Sequence, residues 1–189
     1  MEQEQQRRLL VVLDLNGVLL DSTHRARAHV KHDCKARFKY VYFRPGMKDF
    51  LDWLFSMPGQ VCVGVWTSNI RPNALVLVGE AFSSEQVERL QFVMSREHCD
   101  LGPRFTSFKN LQKIWDLGWP ADRVVIVDDS VEKIRPSNTG AHCCVPEFLA
   151  SPQSLQQDNG LDMVKQFVER ALDRNRNGLP AAEASASKH

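Results

Sequence analysis

Leu9-Leu10-Val11-Val12-Leu13-Asp14-Leu15-Asn16-Gly17-Val18-Leu19-Leu20 is the stretch from which the fold can be read. Leu9–Leu13 is an unbroken apolar run of strand length, the kind that forms a central parallel strand covered on both faces. It ends in a carboxylate, an amide and a glycine. A buried strand therefore delivers polar groups into a turn. Asp14 and Asn16 also make the wider segment Leu9–Leu20 too short and too polar to span a bilayer. The polar residues before it do not read as a secretory signal.

Working outward, Val61–Trp66 and Val124–Val127 are two further apolar strands. Leu90–Met94 and Ala141–Val145 are expected to be a third and a fifth, shorter one. Helices are expected between them. One follows Pro45-Gly46, with Phe50, Leu51, Leu54 and Phe55 at helical spacing. One has Pro72 near its start, where proline is tolerated. One runs from Ser107 to Leu117, and a last one from Leu161 to Leu172. Strands alternating with helices predict an α/β fold, a Rossmann-like parallel sheet flanked by helices. Residues 22–44 read as a small β insertion after strand one, a hairpin built on Phe38, Tyr40, Tyr42 and Phe43. The expectation is a single domain over 1–172 and a disordered tail over 173–189, which is rich in Asn, Arg, Gly, Ala and Ser.

The chain has 189 residues, 43% hydrophobic and 25% charged, the balance of an ordinary globular domain. Its net charge of +1 gives no reason to expect a nucleic-acid or membrane partner. The charge is uneven, however. Residues 22–44 carry Arg25, Arg27, Lys31, Lys35, Arg37, Lys39 and Arg44 against Asp33, so this segment is at +6 and the remainder at −5. Such a patch reads either as a solvated face or as a surface for an anionic partner. Five cysteines without a Cys-x-x-Cys pattern argue for a reducing compartment, hence an intracellular protein, cytoplasmic or nuclear. Cys143-Cys144 reads as core, and His29, His32 and Cys34 are three ligand types in a short span with no matching second pair.

In parallel sheets, ligands sit outside the carboxyl ends of the strands. The residues there are Asp14, Thr67 with Ser68, and Asp128-Asp129. Asp14 suits a nucleophile that forms a covalent intermediate, or a carboxylate that caps a turn. Thr67 and the amides after it suit an anion site, or an N-cap. Two adjacent carboxylates repel, and a cation such as magnesium (Mg2+) relieves that, since it takes oxygen ligands and keeps several waters. A lysine before the fourth strand, Lys109 or Lys113, would neutralise charge at the same place.

The order Asp, Thr, Lys, Asp-Asp resembles that of the haloacid dehalogenase superfamily. Within it, the chain is similar to the small phosphatases of the FCP-like, NLI-interacting-factor type, the small CTD-phosphatase-type family. Further similar stretches are Arg44-Pro45-Gly46, Trp66-Thr67-Ser68-Asn69, Ser95-Arg96-Glu97-His98-Cys99, Phe108-Lys109-Asn110-Leu111 and Val125–Ser130. The resemblance implies a magnesium-dependent phosphatase acting on phosphoserine or phosphothreonine in protein. Asp14 would form an aspartyl-phosphate, and Thr67, Ser68 and Lys109 would hold the phosphoryl group. Asp14, the carbonyl of Asn16, Asp129 and, in support, Asp128 would hold the metal. One position departs from the pattern. The family's phosphatases carry aspartate where Asn16 stands, as proton donor and then base. An amide serves as neither, which implies slow turnover, or a weakly active module that binds a phosphorylated or acidic partner.

Overall fold

The computed structural model describes residues 7–102, 106–134 and 141–176. The central sheet has five parallel strands in the order β10-β9-β1-β5-β6. They are β1 (Leu9–Leu13), β5 (Val61–Trp66), β6 (Val93–Met94), β9 (Val124–Asp128) and β10 (Ala141–Cys144). All five residues of β1 are buried, because the strand lies mid-sheet with helices on both faces. Leu9, Val11 and Leu13 join a core with Leu51, Leu54, Val164 and Val168. Leu10 and Val12 face the other way, against Trp66, Leu111, Ile114, Trp119 and Ile126.

The first of these cores is closed by α1 (Met47–Phe55), α2 (Arg71–Ala81) and α6 (Gly160–Arg176). Two short helices stand beside them in the chain, α3 (Ser84–Arg89) between α2 and β6, and α5 (Pro152–Gln157) between β10 and α6. The last helix was expected to stop at Leu172 and instead continues to Arg176. Residues 177–189 of the expected disordered tail lie outside the described residues.

The insertion is a three-stranded antiparallel sheet rather than a hairpin. Its strands β2 (Leu20–Thr23), β3 (Cys34–Ala36) and β4 (Lys39–Phe43) lie in the order β2-β4-β3. The chain leaving the Gly17 turn is already extended, and Leu20 pairs with Phe43, so the insertion acquires an extra strand. The expected helix over Ser107–Leu117 shrinks to α4 (Gln112–Trp115). Ser107 and Phe108 form β8, which pairs with β7 (Asp100–Leu101). Lys109 then bridges Ile134, with its amide donating to the Lys133 carbonyl at 2.8 Å. These long-range pairings hold the segment extended before it can coil. Similarly, only Val93 and Met94 of the expected Leu90–Met94 strand form β6.

Candidate active site

The chain runs from β1 to β5 and β6 on one side of the sheet, then crosses to β9 and β10 on the other. The sequence direction therefore reverses beside β1, and the crevice that this leaves lies at the strands' carboxyl ends. Register fixes what meets there. Leu13 is paired with Val65 and with Val127, so Asp14 emerges between the ends of β5 and β9. Its amide donates to the Val127 carbonyl at 3.0 Å.

Asp14 is 2% exposed. One carboxylate oxygen accepts from the Leu15 amide at 2.7 Å, and the other lies 3.0 Å from the Lys109 ammonium. The same ammonium donates to Asp128 Oδ2 at 2.6 Å. Asp128 uses its other oxygen to accept from the Ser130 amide at 2.9 Å. Lys109 thus ties the first and fourth strand ends together. Lys113 does not reach the site; it pairs with Asp100 at 2.8 Å and donates to the His98 carbonyl.

Carboxylate oxygens of Asp14, Asp128 and Asp129 lie within 4.8 Å of one another. Burial pushes the Asp14 carboxyl above its usual range, with Lys109 opposing and Asp128 adding to the rise. Burial would raise Asp128 too, but Lys109 and the Ser130 amide outweigh it and hold that carboxyl low. Asp129 is raised by burial, against Lys133, whose ammonium is 3.6 Å away. Burial works against the Lys109 charge, and the two carboxylates beside it more than compensate. Among the described residues, three acids face Lys109 and Lys133, one negative charge more than positive.

The donor set fits a hard cation. Among the described residues, buried Asn16 Oδ1 and Asp129 Oδ1 accept no hydrogen bond, and Asp129 Oδ1 has only the Lys133 ammonium at 3.6 Å; buried oxygens left so open are the ligands that magnesium takes. Asp128 has both oxygens engaged, so it suits support better than ligation. Gly17 is required here on two counts. Its φ is +80°, and a Cβ on it would lie 2.6 Å from Asp129 Oδ2. His29, His32 and Cys34 form no comparable group among the described residues.

Thr67, 1% exposed, follows β5, and its Oγ1 accepts from Asn69 Nδ2 at 3.0 Å. Ser68 beside it is half-buried, its carbonyl taken by Arg96 Nε at 2.8 Å.

Sequence reasoning counted Arg44 in the basic face, yet it is 1% exposed. Its guanidinium holds Asp158 through two hydrogen bonds of 2.7 and 2.9 Å. It also donates to the carbonyls of Gly17, Val18 and Pro146. It therefore pins the turn that carries Asn16. Arg27 is paired with Asp21 at 2.7 Å, so the exposed patch is weaker than the composition suggests. Cys143 is core, as expected, but Cys144 is exposed. Lys133 was also missed, although its place four residues after Asp129 on a tight turn was a signal.

Among the described residues, no helix is long and apolar enough to cross a membrane. A curated relative, an uncharacterised FCP1 homology domain-containing protein of Schizosaccharomyces pombe, is 28% identical over 164 residues. That alignment covers 78% of this chain and 64% of the relative. The fission yeast RNA polymerase II CTD phosphatase Fcp1, solved with beryllium fluoride, superposes with a TM-score of 0.54 at 15% identity. It covers 92% of this chain and 56% of that one. A haloacid dehalogenase-like hydrolase of Streptococcus pneumoniae gives 0.53 at 11% identity, covering 85% and 99%. These structures share the fold. This chain thus spans under two thirds of the length of the first two relatives. The family model for NLI interacting factor-like phosphatase matches residues 9–178, and the chain belongs to that family.

Proposed function

We propose that this chain is a magnesium-dependent phosphatase for phosphoserine or phosphothreonine in protein, working through Asp14 and slowed by Asn16. The observation that carries this reading is the buried Asp14 carboxylate held 3.0 Å from Lys109 at the crevice of a phosphatase-family fold. In this reading an Asp14 oxygen attacks phosphorus, the ester P–O bond breaks and the alkoxide leaves. Thr67, the amides after it and Lys109 balance the phosphoryl charge. Asp14, Asn16 and Asp129, with Asp128 in support, would hold magnesium. When bound, it would offset the repulsion between carboxylate and phosphoryl oxygens.

The Asn16 amide cannot protonate the departing alkoxide, nor take a proton from the water that later attacks the aspartyl-phosphate. General acid–base catalysis is worth about 10²–10⁴-fold. A protein substrate is supported by the fission yeast relative, named for its action on the RNA polymerase II CTD, and by the basic insertion that follows the Asp14 turn in the chain. An intracellular location, cytoplasmic or nuclear, goes with that substrate. Asn16 favours a second reading, a weakly active module that binds a phosphorylated or acidic partner.

The test is steady-state hydrolysis of an aryl phosphate and of a phosphoserine peptide with magnesium. An aryl leaving group needs little protonation. The unmutated chain should therefore hydrolyse the aryl ester, and Asp14→Asn should abolish this. Asn16→Asp should raise turnover, mostly on the peptide. Aryl hydrolysis that survives Asp14→Asn refutes the nucleophile. No hydrolysis by either the chain or Asn16→Asp leaves the binding module as the reading.

A further inference from the structure

A hydroxyl has one hydrogen to give and two lone pairs to receive. At Thr67 a single residue fills both lone pairs. Asn69 donates to Thr67 Oγ1 from its backbone amide at 3.3 Å and from Nδ2 at 3.0 Å. The Thr67 hydrogen is left to point elsewhere.

Asn69 is itself fixed. Its carbonyl accepts from the Arg96 amide at 2.8 Å, and the preceding carbonyl, of Ser68, accepts from Arg96 Nε at 2.8 Å. Just beyond, α2 begins with Ile70 as its N-cap, a residue with no side-chain oxygen, and no side chain of its own caps it. Glu97 substitutes from a distant segment, accepting from the Arg71 amide at 3.2 Å. Residues 96–97 thus hold the loop 67–71 from outside, at three successive points.

We infer that Asn69 is a positioning residue that fixes the Thr67 hydroxyl as a hydrogen-bond donor for a phosphoryl anion. The inference rests on the reading of Thr67 as phosphate-binding. By occupying the lone pairs, Asn69 removes the orientations in which the hydroxyl would present an acceptor to the anion and repel it. Without the Asn69 side chain only the longer backbone hydrogen bond of 3.3 Å remains, and the freed lone pair lets the hydroxyl turn away from the anion.

A double-mutant cycle of Thr67→Val and Asn69→Ala in the full chain tests this. The readouts are inorganic phosphate affinity by calorimetry and phosphate inhibition of aryl phosphate hydrolysis, at constant magnesium. A hydrogen bond to a charged group is worth roughly a tenfold to hundredfold change in affinity. Thr67→Val should weaken phosphate binding by about that factor. Asn69→Ala should weaken it by about threefold to tenfold alone, and by nothing further in the Thr67→Val background. Thermal melts check that each variant folds. Asn69→Leu, similar in size and without any side-chain donor, replaces any alanine variant that melts early, with the same expected pattern. If the Asn69 substitution weakens phosphate binding equally in both backgrounds, it acts on the loop rather than through Thr67. The inference then falls while the phosphate role of Thr67 stands. If Thr67→Val leaves phosphate affinity unchanged, both fall.

Discussion

Replacing Asp158 with alanine should be among the most destabilising single changes in this protein. The Arg44 side chain is 0% exposed, and among the described residues Asp158 provides its only carboxylate, through Oδ1 at 2.7 Å and Oδ2 at 2.9 Å. Removing that carboxylate leaves a buried guanidinium charge unpaired, which costs about 3–5 kcal/mol. Two features favour the lower end. Three carbonyls still accept from Arg44, and the Asp158 side chain is 11% exposed, so water can follow the deletion. At about 3 kcal/mol, and about 2–4 °C per kcal/mol for a chain of this size, Tm should fall by about 6–12 °C. Differential scanning calorimetry measures it. The loss should persist in high salt, because the pair is shielded from screening. Asp158→Asn, which keeps one acceptor, should lose less. A fall of under 2 °C for the alanine variant would refute the account of Arg44 as a charge dependent on one partner.

Other outcomes follow from the same geometry. Gly17→Ala should lower both Tm and aryl phosphatase activity, since the new methyl group meets Asp129 Oδ2 at a backbone angle only glycine adopts easily; unchanged melts and kinetics would contradict this. Magnesium at 100 times its dissociation constant should add about 2.7 kcal/mol of stability, absent in Asp129→Ala, as seen by melts with metal and with chelator. Turnover of an acidic phosphopeptide should weaken with salt more than that of a small aryl phosphate; equal dependence would remove the basic insertion from substrate recognition. Burial pushes the Cys143 thiol up to about 12. The folded state therefore keeps a proton that the unfolded chain loses from about pH 9. Stability should fall as pH rises from about 9 toward about 12, and urea melts of Cys143→Ala should show less of that fall.

The strands that carry the site were legible because each is a plain apolar run ending in a polar residue. Asp14, Thr67 and Asp128-Asp129 could be placed together once a parallel sheet was accepted. Lys109 could not be chosen over Lys113 from residue type alone, since both precede strand four and both read as helical lysines. What separates them is the backbone pairing of Lys109 with Lys133 and Ile134, a long-range contact that overrides local helix preference. Arg44 misled for the converse reason. A guanidinium in a basic segment reads as solvated, and only its partner Asp158, 114 positions later, shows that it is interior. The third insertion strand was missed because Leu20–Thr23 pairs with β4 without any alternating pattern of its own.

That separation of 114 positions also sets a timetable for synthesis. The turn bearing Asn16 and Gly17 leaves the ribosome early, and so does the guanidinium that will pin it. At about 5–20 residues per second, Asp158 follows about 6–23 s later. Throughout that interval Arg44 has no anchor, and until its last quarter β1 also lacks β9 beside it. The nascent chain therefore holds the Asp14 carboxylate in an unfinished crevice, which is completed only once Asp158 has emerged.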